Sequence, residues 1–254
     1  MKLYHYIKQR RLKIVAVAIW LILWQVFSII ITRKYLLASP LEVIKAFLSL
    51  VGQSRFWISI GTSFIKISLG FLLAAMVGVG LAVGSIWNKL AREVISLGIR
   101  TIKSIPVASF IILILLWVRS ENLSIVISFL TVLPIIYTNV LKGLEATDSK
   151  LLEMAEVFHV GGKKRFRYIY LPSVMPYFVS SCSIALGFCW KSGIAAEVIG
   201  LPLHSIGEQL YEAKLYLMTG ELFAWTFVII GISVLFESLV MMIIRVFEKR
   251  IRHY

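Results

Sequence analysis

Apolar and polar positions alternate along this chain in long blocks. Six mostly apolar stretches, at about 14–31, 62–87, 94–118, 123–141, 173–197 and 221–245, are separated by short polar segments rich in Lys and Arg. A helix needs ~20 such residues to cross a hydrocarbon layer ~30 Å thick. The pattern therefore predicts an all-α, polytopic membrane protein with about six transmembrane helices. The third stretch carries Arg100 and Lys103 in its first half, so its membrane portion should begin nearer Ile105. Pro106 and Pro134 lie inside the third and fourth stretches and should kink or end a helix segment, freeing backbone groups that can line a cavity. Pro40–Val51 differs in kind. Leu41, Ile44, Leu48 and Val51 recur at helical spacing with Glu42 and Lys45 elsewhere, which reads as a short amphipathic helix on the outer surface.

Composition agrees. Hydrophobic residues make up 59% of the 254, charged residues 16%, and mean hydropathy is +0.87. Soluble chains sit near 45–50% and ~25%, and no soluble domain of this size could bury so much apolar surface. Disordered chains, disulfide scaffolds and nucleic-acid modules are excluded on the same ground. Cys182 and Cys189 fall inside one apolar stretch and read as small core residues. The net charge of +14 is explained by where the cations lie. With the N-terminus inside, the inner segments hold 17 Lys and Arg and the outer segments 6. That asymmetry puts both termini in the cytoplasm. Residues 1–13 form a basic cytoplasmic N-terminus, and residues 14–254 read as one transmembrane domain with a cytoplasmic loop at about 145–172. The first stretch reads as a retained helix, because its apolar run of 18 residues is long for a signal peptide and Thr32-Arg33-Lys34 is no small-residue cleavage site.

Catalytic motifs are missing. Gly161-Gly162-Lys163-Lys164 lacks the glycine and hydroxyl residue of a phosphate-binding loop, and there is no H-E-x-x-H or G-x-S-x-G. Four scattered histidines make a metal site implausible. No catalytic residue, metal or bound cofactor is expected. A polytopic protein without catalytic constellations is a transporter, a channel, a subunit of one, or a scaffold.

The loop at 151–176 reads LLEMAEVFHVGGKKRFRYIYLPSVMP. Leu151 to His159 should form a helix, Gly161-Gly162 should end it, and a basic, aromatic stretch should lead to Leu171-Pro172 at the start of the fifth span. From periodicity alone this could be an ordinary basic loop at the membrane surface. Glu153-Met154-Ala155 followed by Leu171-Pro172, however, resembles the EAA loop of permease subunits of ABC importers: E-A-A, a glycine six residues after the Glu, and L-P nineteen after it. The sequence departs at His159, where the family usually has its glycine. Either the first helix extends slightly, or His159 adopts a backbone conformation usually left to glycine. YLLASPLEV at 35–43, Ile105-Pro106 with its apolar run to Trp117, and ALGFCWKSGIAAEV at 185–198 resemble the nitrate/sulfonate/taurine branch. The similarity covers about residues 35–250.

The resemblance implies a type I ABC importer permease fold. It implies partners: ABC ATPase subunits that bind the ATP, a second permease copy (a homodimer), an extracytoplasmic substrate-binding protein and membrane lipids, with no nucleic acid. It implies a bacterial inner-membrane location. Residues 151–162 match the helix that couples to the ATPase, with Glu153 fixing it, Ala155 allowing close approach, and Met154, His159, Gly161, Gly162, Leu171 and Pro172 completing the motif. Lys163, Lys164, Arg165 and Arg167 should meet acidic headgroups. Charges within spans usually face protein or water, so Lys191 and Glu197, with Pro106, are the candidate pathway residues. Lys191 suits either an anionic substrate or a carboxylate on another helix. Glu197, near an outer helix end and the one mid-chain carboxylate expected at membrane depth, suits a hydrogen bond to the loop after it. Gly70, Ala74, Gly78 and the Gly80/Gly84 pair should serve close helix packing. Lys66, Arg100 and Lys103 should snorkel. The implied substrate is a small anion such as nitrate, a sulfonate or taurine, or a thiamine-precursor pyrimidine. A stand-alone secondary transporter or channel is the alternative, though no clear inverted halves are visible.

Overall fold

A computed structural model describes residues 2–30 and 37–252. The outer segment at Thr32-Arg33-Lys34 and the side chains of the basic N-terminus lie outside the described residues. Helix α1 runs Lys2–Ile30 and α2 Pro40–Val51. Ser39 caps α2: its hydroxyl accepts from the Glu42 N–H at 3.3 Å while the Glu42 carboxylate accepts from the Ser39 N–H at 2.9 Å. Two otherwise unpaired donors are thus satisfied reciprocally, and Pro40 sits where a missing N–H costs nothing. Val43 and Leu50 face the protein, while Leu41, Ile44 and Leu48 are exposed, as an interfacial helix requires. Trp24 of α1 donates to the Ala38 carbonyl at 3.1 Å and ties α1 to this corner.

Four helices are long and apolar enough to cross a membrane singly: α3 Ser54–Trp87, α6 Ser120–Glu145, α9 Leu171–Gly200 with the turn before it, and α11 Thr219–Arg252. Helix α6 is the centre of the bundle, between α3 and α9. Gly70 and Gly78 let α3 approach closely: a Cβ at Gly70 would lie 2.6 Å from the Ile125 carbonyl oxygen, and one at Gly78 would lie 3.1 Å from Ile136. Ala74 between them is fully buried. At the three-helix junction, Ser128 donates to the Cys189 carbonyl at 3.3 Å and the Cys189 thiol to the Ile67 carbonyl at 3.5 Å. Both cysteines are buried and free. Gly80 and Gly84 break the packing expectation, since a Cβ on either would meet nothing within 4 Å.

The third apolar stretch is not one rod. It divides into α4, Lys89–Ser104, and α5, Val107–Ile114, which meet at 105°. Ile105 is extended, φ −81° and ψ 128°, because the residue before a proline is driven out of the helical region. Pro106 then starts α5. Counting the pair as one crossing gives five spans among the described residues. The apolar part of α1, Ala18–Ile30, is shorter than a full crossing.

Between α9 and α11 the chain forms α10, Ile206–Leu215, a short helix that the apolar pattern does not reveal. Arg55 at the start of α3 bonds Glu212 at 2.8 Å and lies 3.6 Å from Glu208, holding α10 at the end of the bundle.

Candidate functional site: an exposed elbow and a buried joint

Helix α7, Ser149–Val157, begins at Asp148, whose carboxylate accepts from the Lys150 N–H at 2.9 Å. It does not end on the double glycine. Val160 N–H returns to the Ala155 carbonyl at 2.8 Å and His159 N–H to that of Glu156 at 3.0 Å. This bond pair is the Schellman stop, and it places His159 at the left-handed position, φ +50°. Histidine therefore occupies the conformation usually left to glycine. Gly161 is ordinary extended backbone, φ −58° and ψ 147°, and leads into the short helix α8, Gly162–Arg165. A Cβ on Gly161 or Gly162 would meet nothing within 4 Å. The expected glycine stop thus falls two residues early.

After α8 the helix does not break. Phe166–Tyr170 form a π turn that leads directly into α9, so Gly162–Gly200 run as one helix of 39 residues. Pro172 lacks the N–H that would reach Tyr168, and its ring would press on that carbonyl. The wider turn, in which Leu171 N–H bonds the Phe166 carbonyl, spreads the carbonyls just before the proline. Leu171 and Pro172 are partly buried where this extension passes into α9.

The faces of α7 divide sharply. Ala155 is 1% exposed and packs against its own chain, so the close approach it permits is internal. Glu153 is exposed, and Leu151, Met154, Val157 and Phe158 stand out as an apolar outer surface, Phe158 74% exposed. Glu153 makes no ion pair among the described residues.

The pathway candidates are far apart in character. Pro106 sits exposed at the α4–α5 break. Lys191 is exposed on α9, its ammonium 5.8 Å from the Phe188 ring centre, with no carboxylate within ion-pair distance among the described residues. Glu197 is fully buried. One carboxylate oxygen accepts from the Ser63 hydroxyl at 2.7 Å and the Gly207 N–H at 3.3 Å, and Ser63 accepts in turn from the Ile206 N–H at 2.9 Å. Here α3, α9 and the start of α10 meet. Gly207 has no room for a side chain, since a Cβ would stand 2.3 Å from that of Glu197. Glu197 therefore joins elements of its own chain at the end of the bundle where α9 gives way to α10.

A second carboxylate at membrane depth was not anticipated. Glu237, inside α11, accepts from the Ser183 hydroxyl of α9 at 3.2 Å and lines a groove with Ser238, Met241 and Arg245. The single Glu between Phe236 and Ser238 in an apolar run was the available signal.

The family described as binding-protein-dependent transport system inner membrane component matches residues 70–253. The chain belongs to that family. A Bacillus subtilis protein carrying the name of an aliphatic sulfonates transport permease, SsuC, is 23% identical over 248 residues, covering 96% of this chain and 87% of its own. The nitrate import permease NrtB of Synechococcus elongatus is 26% identical over 199 residues, 73% of this chain and 70% of its own. Among solved structures, a bacterial ABC transporter that imports the acidic polysaccharide alginate superposes with TM-score 0.55, covering 100% of this chain and 99% of that one at 14% identity, which speaks for the fold alone. The chain is thus a multi-pass permease subunit of the ABC importer class, in the nitrate/sulfonate/taurine branch.

Proposed function

We propose that this subunit forms the pathway of an ATP-driven importer for a small oxyanion, a sulfonate or nitrate, and that the exposed face of α7 seats on a separate ATPase. The observation that carries the reading is the elbow. Its outer surface offers Glu153, Met154 and Phe158 to something outside the chain. Its other end is continuous, through Val160 and the helix Gly162–Gly200, with a membrane span. A push on α7 reaches α9 through the short turn at 158–161 and then through the single helix Gly162–Gly200, which moves as one stiff element. The ATPase subunits bind the ATP, and the permease contributes no catalytic residue. A second copy of the chain completes the pathway as a homodimer, and an extracytoplasmic binding protein supplies the substrate. Both termini face the cytoplasm, in accord with the charge asymmetry. The oxyanion assignment draws on the names of the relatives and on Lys191, a cation exposed at membrane depth with no carboxylate partner among the described residues.

The test is uptake of labelled taurine, propanesulfonate and nitrate into cells co-expressing the chain with candidate ATPase and binding-protein partners. Uptake should require all three components, and ATPase carrying a disabled phosphate-binding loop should abolish it. Uptake by the chain alone would favour a stand-alone transporter. Lys191→Met should keep yield and ATPase copurification while lowering uptake.

A further inference from the structure

At the inner side of the α4–α5 break, two lysines from different helices converge without an acid. Lys103, in the last turn of α4, donates to the Thr138 hydroxyl of α6 at 3.2 Å. Thr138 gives its own proton to the Pro134 carbonyl, so it offers Lys103 a lone pair and holds it in place. Lys142 lies one turn along α6 from Thr138, on the same face of that helix as the hydroxyl that holds Lys103. Arg100 precedes Lys103 by one turn of α4 and is also exposed. The acid nearest in sequence to Lys142, Glu145, is taken by Arg92. None of Arg100, Lys103 or Lys142 has a carboxylate within ion-pair distance among the described residues. Both lysines stand in last helical turns, where the backbone dipole favours a cation. That accounts for each lysine singly; two cations placed around one hydroxyl repel each other, and an anion between them would turn that repulsion into attraction.

We propose that Lys103 and Lys142, with Arg100 beside them, form an oxyanion site near the inner end of the bundle. Lys103 spends one of its three N–H donors on Thr138 and has two left. Lys142 adds three more, and charge-assisted bonds from two ammoniums suit a small tetrahedral or planar oxyanion. Such a group could be the sulfonate or nitrate of transported cargo or the phosphate of an anionic inner-leaflet lipid. The cargo arm rests on the importer reading above, whereas the site itself does not.

The experiment uses the full-length chain in phosphatidylcholine nanodiscs, with and without phosphatidylglycerol, and the variants Lys103→Gln, Lys142→Gln, their double, Lys103→Arg and Thr138→Val. Thermal unfolding is followed on replacing chloride with propanesulfonate at constant ionic strength. Retained phosphatidylglycerol is counted by native mass spectrometry, and uptake is measured in cells. Propanesulfonate should raise the Tm of wild type in the absence of phosphatidylglycerol. The double variant should lose that rise and show KM for uptake higher by about tenfold for each charge removed. Lys103→Arg should retain most of both effects, and Thr138→Val should lose part of them. Loss of bound phosphatidylglycerol with unchanged sulfonate response and uptake would assign the same site to lipid. Unchanged anion response, lipid retention and KM in a folded double variant would overturn the proposal. If wild type imports none of the anions, the importer reading fails, and the nanodisc measurements still decide the site.

Discussion

The joint around Glu197 and the elbow around Glu153 each hold an acidic residue at a junction of helices, yet they are built on opposite terms. Glu197 is fully buried, and its acceptor oxygen is met by donors of the same chain, Ser63 and Gly207. Glu153 is exposed on α7 among exposed Met154 and Phe158, with no ion pair among the described residues. The first closes the fold on itself. The second turns its chemistry outward, toward an ATPase in the reading proposed above. Sequence-level rarity marks both carboxylates alike. Burial separates them, and it predicts which one a mutation will report through folding and which through transport.

The largest effect should come at the joint. Gly207→Val places atoms where a Cβ alone already stands 2.3 Å from that of Glu197 and 2.4 Å from its backbone carbon. No rotamer relieves a clash with backbone, so the substitution should cost more than about 3 kcal/mol. The measurable result is collapse of folded yield in detergent, and wild-type yield would show that α10 can move away freely.

Glu153→Arg should act in the reverse sense. An exposed side chain away from special features changes stability within about 0.5 kcal/mol. Folded yield and Tm should hold, while ATPase copurification and uptake fall, since reversing a charge at a desolvated contact costs on the order of 2–5 kcal/mol of binding. Normal uptake would remove Glu153 from the coupling role. A pronounced fall in Tm would instead make the elbow a folding element like the joint.

Glu197 itself can be dissected. Glu197→Gln keeps an oxygen for Ser63 and Gly207 and should cost about 1 kcal/mol or less. Glu197→Leu leaves the Ser63 hydroxyl and Gly207 N–H without their acceptor and should cost about 2–4 kcal/mol in all. Chemical denaturation in mixed micelles would read the difference. Equal losses for the two variants would mean that the charge, rather than the acceptor, holds the joint.

How much of this could be read beforehand depends on how local the cause is. The amphipathic helix Pro40–Val51 is legible because its apolar spacing and its cap lie within a dozen residues. Four of the six expected spans are legible as single helices because bilayer thickness imposes a length on them, whereas the third stretch is a bent pair and the first has only the shorter apolar run Ala18–Ile30 among the described residues. The joint at Glu197 is not, since Ser63 and Glu197 are 134 positions apart and nothing in either neighbourhood points to the other. The break at Pro106 is visible in sequence, but its 105° angle is settled by what α4 and α5 pack against. Gly80 and Gly84 mimic a packing stripe, and only the position of α6, against Gly70 and Gly78, shows which small residues are used. Glu237 is visible but was outweighed by the apolar run around it. At the elbow, only the resemblance to the E-A-A loop singled out His159, and the bond pattern around Val160 shows why that position matters: the stop depends on position along the helix, whichever residue arrives there.

That last point yields the smallest and most specific prediction. A non-glycine residue in the left-handed region carries a steric cost of roughly 1–2 kcal/mol. Glycine at the same site avoids it but loses about 0.4–1 kcal/mol through the greater freedom of its unfolded chain. The terms oppose each other, so His159→Gly should stabilise α7 by only about 0.5 kcal/mol. His159→Val, whose branched side chain tolerates φ +50° poorly, should destabilise it by about 1–2 kcal/mol. Hydrogen exchange at the Val160 amide, which closes the stop on Ala155, reads this locally where global unfolding would average it away. Slower exchange in the glycine variant and faster exchange in the valine variant are expected. Equal exchange in all three would mean that the turn is held by the surrounding chain and that the backbone at position 159 carries no strain. If uptake also tracks that exchange, stiffness of the α7 stop matters to coupling. If uptake is indifferent, Glu153 and its apolar neighbours need only be presented, and the elbow can transmit motion with its last turn frayed.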